Sequence, residues 1–498
     1  MKSALVSLYG VQIYSVFITI FATPLLIKFL GTEGYGLIGL YFVIQMLLQV
    51  VDGGLTGTIT KLTAQRDLSN STNVTGLDKS LQYFQGVLNK AVLILLLISG
   101  IVYQTDTASS MIESSLPGSI IDMSVLLMIA CIAIRFLSLP DRGLLQGLER
   151  QKTLALTNFT IVTLRYPAAV AMLVLLSADV VHFFCFQLLV VLVEVAMLKY
   201  FSMAYWKSVD ISGRSKALDN GVSLDFKWLI DQSGGLWTIS VLWVLVSQID
   251  KLVLSFSVPL EAFGIFSLAL VSANLMLTMF VPINQILMPR FVKLYEGPDS
   301  GAFTSMVFRA IQSYVCFFSV VASGLYIFGE ELLFLWTRSS ELSIGAGVFL
   351  GYLAIGNFIH GITNIIFITS YASGDLAEYA KRYMIHVSLV LPISVYSAIA
   401  HQEYGVVLVW VFGAFGFFLH TTVPFLRRIF EFRTALVSMV SASFQIMITL
   451  GAMYLFKSQF TLVAYPNLDF LILLTGLSLL LLVINYLISL VSIRHSYG

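Results

Sequence analysis

Arg135 and Arg165 each sit inside an apolar run, SVLLMIACIAIRFLSL and LALTNFTIVTLRYPAAVAMLVLL. A guanidinium stays charged at physiological pH and presents a planar fork of donors that matches phosphate oxygens in pairs. Held among apolar residues it is costly unless an anion or water meets it, so both arginines point to a cavity that receives an anion. Arg165 lies near the middle of its run, too far from either end to reach water by extending its stem, and Asn158 shares its helical face. Lys251 and Lys90 are further candidate cations for that cavity, although Lys90 is close enough to one end of its run to snorkel outward.

Three other constellations could carry coupling or gating. Gln45, Gln49, Asp52 and Thr56 are spaced by four, three and four, so they form one polar stripe beside Gly53-Gly54. Gln45 and Gln49 would extend the cavity lining, and Asp52 would supply a gating or coupling carboxylate; capping the inner end of its helix is the other job open to it. Asp250 and Lys251 are adjacent, so on a helix their side chains diverge by about 100°. Lys251 continues a face with Ser240, Ser247 and Ser255, while Asp250 needs a partner elsewhere, and a salt bridge is the plain alternative to a coupling role. Asn357, His360 and Asn364, spaced by three and four, form a stripe in which the histidine could act as a protonation switch. His386 and His420 lack such a stripe and read as packing residues.

The elements that position these groups must be membrane-spanning helices. Of 498 residues, 58% are hydrophobic and only 11% charged, too few charges to cover a soluble protein of this size, and the net charge of +1 adds nothing. A crossing needs about 20 apolar residues. Runs of that kind occur at 5–29, 36–58, 84–104, 121–139, 154–176, 182–205, 234–255, 264–283, 307–328, 346–370, 383–401, 405–425, 435–456 and 469–491. The boundary between 401 and 405 and the sixth run, which holds His182 and Glu194, are the weakest of these. Lys2 followed directly by a long apolar stretch reads as a retained first span rather than a cleaved leader. Cys131, Cys185 and Cys316 lie in apolar runs and read as small core hydrophobes, with neither a disulfide framework nor metal-ligand spacing.

Fourteen spans alternate in a way the basic residues support. With the N-terminus cytoplasmic, 21 of the 28 Lys and Arg fall at inner ends and loops and 3 at outer ones (Lys28, Arg338, Lys457), which puts both termini inside. Two outer loops, 105–120 and 329–345, are then the longest.

A repeat underlies the pattern. Glu33-Gly34-Tyr35-Gly36-Leu37 aligns with Glu261-Ala262-Phe263-Gly264-Ile265 at an offset of 228, joining the first two runs and then the seventh and eighth. Gly147 and Gly374 repeat the relation at 227, after the fourth and tenth runs. Six spans per copy is even, so the copies share one orientation and would enclose a site between them. The expected architecture is all-α: an N-lobe at 1–206, an inner linker at 207–233, a C-lobe at 234–430, and two extra spans at 431–498. Gly34 and Gly36 are expected to permit a tight reversal, and Tyr35 and Phe263 to sit at the membrane interface.

The Gly34-Tyr35-Gly36 turn, VVDGGLTGTITKLTAQ, RGLLQGLERQKT, and QIDKLVLSF leading into LEAFGIFSLAL follow one another in an order that resembles the polysaccharide-export flippases of the multidrug/oligosaccharidyl-lipid/polysaccharide (MOP) superfamily, in particular the Wzx-type O-unit flippases. The last two spans fit the fourteen-span members. The resemblance implies two six-helix bundles around a central, typically cationic cavity that opens alternately to each side. The implied substrate is an oligosaccharide on undecaprenyl diphosphate, moved from the cytoplasmic to the periplasmic leaflet of a bacterial inner membrane. Membrane lipids, a coupling ion (H+ or Na+), a polysaccharide polymerase and a chain-length regulator are the partners it implies. No cofactor, metal, catalytic residue or nucleic acid is expected. GxxxxGK[ST] does not occur, which argues against an ATP-driven exporter. A membrane polymerase or glycosyltransferase would need a larger outer loop for its chemistry. A lipid II or teichoic-acid-type flippase and a multidrug/cation antiporter remain open, since a shared fold cannot separate them.

Overall fold

In lipid every backbone N–H and C=O must be satisfied within the chain, and a helix does this by itself. The computed structural model is helical accordingly; it describes residues 2–65, 71–176, 179–208, 226–298, 300–460 and 468–497. Its helices are α1 (Lys2–Gln65), α2 (Ser71–Gln104), α3 (Thr107–Met111), α4 (Gly118–Phe136), α5 (Leu139–Gly147), α6 (Gln151–Thr163), α7 (Ala169–Leu175), α8 (Val180–Ser208), α9 (Phe226–Leu254), α10 (Leu260–Tyr295), α11 (Ser300–Thr337), α12 (Ser340–Ala372), α13 (Leu376–Ala400), α14 (Gln402–Phe417), α15 (Val423–Ile429), α16 (Phe432–Phe460) and α17 (Leu468–Tyr497). Two π-turns, Leu164–Ala168 and Phe418–Thr422, join α6 to α7 and α14 to α15.

Among the described residues twelve stretches are long and apolar enough to cross a membrane. The first, Gly10–Leu47, is broken at Gly31 and holds two of the expected segments, and the expected run 234–255 falls on the 29-residue α9, which is not one of the twelve. Leu175, Leu176, Tyr200, Phe432 and Leu455 lie exposed on outer faces, as side chains in contact with lipid do. Cys131 is buried and Cys316 half-buried, but Cys185 is exposed and so is not a core residue.

The chain divides into two compact units, Met1–Gly264 and Ile265–Gly498. The boundary lies beyond α9, which packs along α1 in the first unit. Within that unit the two aligned turns meet: a Cβ on Gly36 would come within 2.5 Å of the Leu260 carbonyl oxygen, and one on Gly264 would collide with the Thr32 backbone. The reversal expected at Gly34 and Gly36 occurs instead at Gly31, whose φ of 74° only glycine adopts freely. Gly36 serves close approach, and Tyr35 and Phe263 are buried in this packing rather than placed at a lipid interface.

The second echo also differs in conformation. Gly374 ends α12 with a φ of 79°, whereas Gly147 is helical and Glu149 takes the left-handed conformation at 55°. Gly147 and Gly143, one turn apart on α5, let α1 approach: their Cβ atoms would meet the carbonyl oxygens of Thr60 at 2.8 Å and Thr56 at 2.9 Å. Thr60 Oγ1 donates across this crossing to the Gly143 carbonyl at 3.2 Å. Small residues that permit close backbones are the usual device for joining helices in lipid, where hydrophobic burial gives no drive.

In the second unit α11 and α12 form a tight hairpin with only Arg338 and Ser339 between them, so the outer loop expected at 329–345 is helical. Ser339 caps α12 by accepting from the Leu342 N–H. α11 breaks regularity at Phe328, and Lys457 of α16 satisfies the Ile327 carbonyl there at 2.6 Å while pairing with Glu331 at 2.8 Å. Deeper in, Gln312 of α11 accepts from Ser441 and Gln445 of α16, and Gln445 donates to Ser489 of α17. This buried polar seam ties the last two spans to α11.

Candidate functional site

Pro167 sits more than four turns into what would be a continuous helix through residues 151–175. Its ring removes one N–H and crowds the carbonyl four residues back, so the helix widens into the π-turn Leu164–Ala168. Gln187 of α8 donates to the Arg165 carbonyl at 3.0 Å and secures this turn. α4 and α5 are likewise separated, by a turn at Leu137 and Ser138 with Pro140 opening α5. These two irregularities aim side chains from separate stretches at one carboxylate.

That carboxylate is Glu194 of α8, 3% exposed. Its Oε2 accepts from Arg135 Nη2 at 2.7 Å and Nε at 3.1 Å, and from Arg165 Nη2 at 3.4 Å. Its Oε1 accepts from Arg142 Nη2 at 2.9 Å. Two turns apart on a straight helix, Arg135 and Arg142 would stand about 10 Å apart along its axis; the break at Leu137–Ser138 is what brings both to Glu194.

The group lines a cavity of about 330 Å³ within the first unit, to which Gln12, Ser15 and Gln45 of α1 and Asn158 of α6 also contribute. Among the described residues, three guanidiniums and one carboxylate leave a formal charge of +2. Arg165 Nε and Gln45 Oε1 are buried and have no hydrogen-bond partner among the described residues, one a donor and the other an acceptor. The arrangement can receive a dianion bearing several oxygens together with a neighbouring hydroxyl donor.

Of the sequence candidates, Arg135, Arg165 and Gln45 are brought together here, with Asn158 on the face expected of it. The side chains of Gln49 and Asp52 lie outside the described residues. Lys90 is exposed on α2 and does not line the cavity. Asp250 and Lys251 do not part as expected: the lysine stem curls back and its Nζ lies 3.1 Å from Asp250 Oδ1, both side chains buried. A four-carbon stem spans the angle between neighbours that rigid side chains could not.

The α12 stripe belongs to the second unit. Asn357 donates to the Ala273 carbonyl at 2.9 Å and accepts from Trp410 Nε1 at 3.1 Å, binding α10, α12 and α14 together. His360 is buried with its ring centroid 4.5 Å from that of Trp410. Asn364 keeps a buried Oδ1 without a partner. His386 is buried among Tyr383 and Phe417, as a packing residue would be.

Sequence reading passed over Glu194 and Arg142. Glu194 stands out in HFFCFQLLVVLVEVAMLKYF by the same criterion that marks Arg165, an ionisable group in an apolar run, but there it only weakened the sixth span. Arg142 is one of the 21 cations at inner ends and loops, and its position there does not mark it as a site residue.

The chain resembles the lipid II flippase MurJ in an inward closed conformation, with a TM-score of 0.69 at 14% identity, over 96% of this chain and 97% of that one. It resembles an inward-facing MATE-family multidrug transporter of the MOP superfamily, with a TM-score of 0.63 at 15% identity, over 84% and 98%. A MOP-superfamily transporter from Pyrococcus furiosus gives 0.53 at 15% identity, over 85% and 96%. No curated protein sequence matches. A family model described as polysaccharide biosynthesis protein matches residues 3–295, which include every residue around the cavity. The chain is a multi-pass membrane protein with the MOP-superfamily fold, and it belongs to the polysaccharide biosynthesis protein family.

Proposed function

We propose that the protein is a flippase that carries an oligosaccharide linked to undecaprenyl diphosphate, an O-antigen or related repeat unit, from the cytoplasmic to the periplasmic leaflet of a bacterial inner membrane by alternating access. The observation that carries this reading is the +2 cavity built by Arg135, Arg142, Arg165 and Glu194. A diphosphate diester bears two negative charges and cannot cross about 30 Å of hydrocarbon unaided. Guanidiniums already gathered at the cavity can replace its water shell, while the lipid tail stays in the bilayer and the sugar in the wet cavity. The family match and the Lys and Arg bias support the polysaccharide role and cytoplasmic termini respectively. A positive cavity disfavours organic cations, the cargo of a multidrug antiporter, but suits a lipid II-type substrate equally, so the sugar is the open part of the proposal.

Coupling to a proton or sodium gradient fits a chain without an ATPase motif, with Asp52 as its candidate carboxylate. The test uses the full chain in sealed liposomes with a fluorescent diphosphate-linked oligosaccharide lipid on one leaflet. Wild type should move it, Arg165→Ala should be slower by about tenfold or more, as expected for the loss of one charge-assisted contact, and collapse of the gradient should stop transport. Efflux of organic cations without lipid movement would overturn the flippase reading. Transport indifferent to both gradients would overturn the coupling.

A further inference from the structure

Glu194 is the unexpected member of the cavity. A site meant only to attract an anion gains nothing from a buried carboxylate, yet Glu194 takes four hydrogen bonds, all from guanidiniums of the site. Its two oxygens occupy the donors that a phosphate would use. Arg165 reaches it least closely, at 3.4 Å, and keeps its buried Nε free of any partner. The carboxylate also brings three positive charges down to the two that match a diphosphate diester.

We propose that Glu194 is a resident counter-anion that the substrate displaces. Before substrate enters, it holds the three guanidiniums oriented toward the cavity. An arriving diphosphate takes donors of Arg165 and Arg135 from it, starting at the free Nε, and Arg142 retains the carboxylate. On release Glu194 takes the donors back, which lowers the barrier to departure. A carrier must bind firmly enough to load and weakly enough to unload; a +3 cavity would load and then hold. This inference rests on the reading of the cavity as a diphosphate site.

A carboxylate that merely keeps the arginines in place predicts the opposite sign. Its removal would disorder them and weaken anion binding. Displacement predicts that removal strengthens it.

The test measures binding of inorganic diphosphate to the detergent-solubilised full chain by calorimetry, alongside the liposome assay. Glu194→Gln should bind diphosphate about tenfold more tightly or better, by loss of a nearby like charge, and flip the lipid more slowly than wild type. The double variant Glu194→Gln/Arg142→Gln returns the cavity to +2, and both its affinity and its rate should move back toward wild type. If Glu194→Gln does not fold, the double variant is compared with Arg142→Gln, and must bind diphosphate more tightly than that single change. Unchanged or weaker binding on loss of Glu194, in either background, overturns the inference while leaving the flippase reading intact. A wild type that neither binds diphosphate nor moves the lipid removes the reading, and the inference with it.

Discussion

Charges placed in apolar helices have two fates in this protein, and the difference lies in what surrounds each residue. Asp250 and Lys251 close on one another and are sealed, at 2% and 5% exposure, with no place in the cavity. Arg135, Arg142 and Arg165 share one carboxylate and face open volume, so their donors are only part-used. A buried pair contributes little net stability while intact, but removing one member takes a charge-assisted contact from the other. Asp250→Asn should therefore lower stability by about 1.5–3 kcal/mol, read as an earlier thermal unfolding in detergent. The sequence marked Arg135, Arg165, Asp250 and Lys251 as costly, but not Arg142 or Glu194. It could not rank them, because partnership across α4, α5, the π-turn and α8 joins residues as far as 59 positions apart.

At the scale of elements, the stretches that carry the family resemblance turn out to be helix crossings. VVDGGLTGTITKLTAQ supplies Thr56, Ile59, Thr60 and Thr63 of α1, against which Gly143 and Gly147 of RGLLQGLERQKT pack. The helical Gly34-Tyr35-Gly36 stretch of α1 likewise packs on Leu260 and Gly264 at the start of α10. Close crossings leave room for no side chain beyond hydrogen, which is why these segments are recognisable. Gly147→Val should abolish the α1–α5 contact and sharply reduce the yield of folded protein in membranes, judged by monodisperse elution in detergent. Gly86→Ala is the control: nothing lies within 4 Å of its Cβ position on exposed α2, and the change should be neutral or stabilising by up to about 1 kcal/mol. If the two behave alike, the crossing is not what those glycines provide.

For the whole molecule, orientation is the property that the helices alone leave open. The short segment between α3 and α4 carries exposed Ser115, whose N–H and Oγ bond to Glu33 at the first turn. With the termini cytoplasmic this segment faces outward. In a chain whose Cys131, Cys185 and Cys316 are replaced, Ser115→Cys should react with an impermeant maleimide added outside intact cells, and a C-terminal reporter should be shielded from external protease. Labelling only after lysis would reverse the topology and, with it, the direction proposed for transport.

The sequence by itself determined the membrane-spanning class, the approximate places of the spans, and the presence of cations that need an anion. Those follow from local quantities, apolar length and the cost of a charge within it. Only the tertiary structure decided which charges share a cavity, that Glu194 and Arg142 belong with Arg135 and Arg165, that Lys251 pairs with its neighbour, and that Asn357 holds three helices together. The physical reason is directional. Pro167 and the break between α4 and α5 turn side chains through angles that an ideal helical period does not contain, and a counter-charge acts across space without regard to distance along the chain.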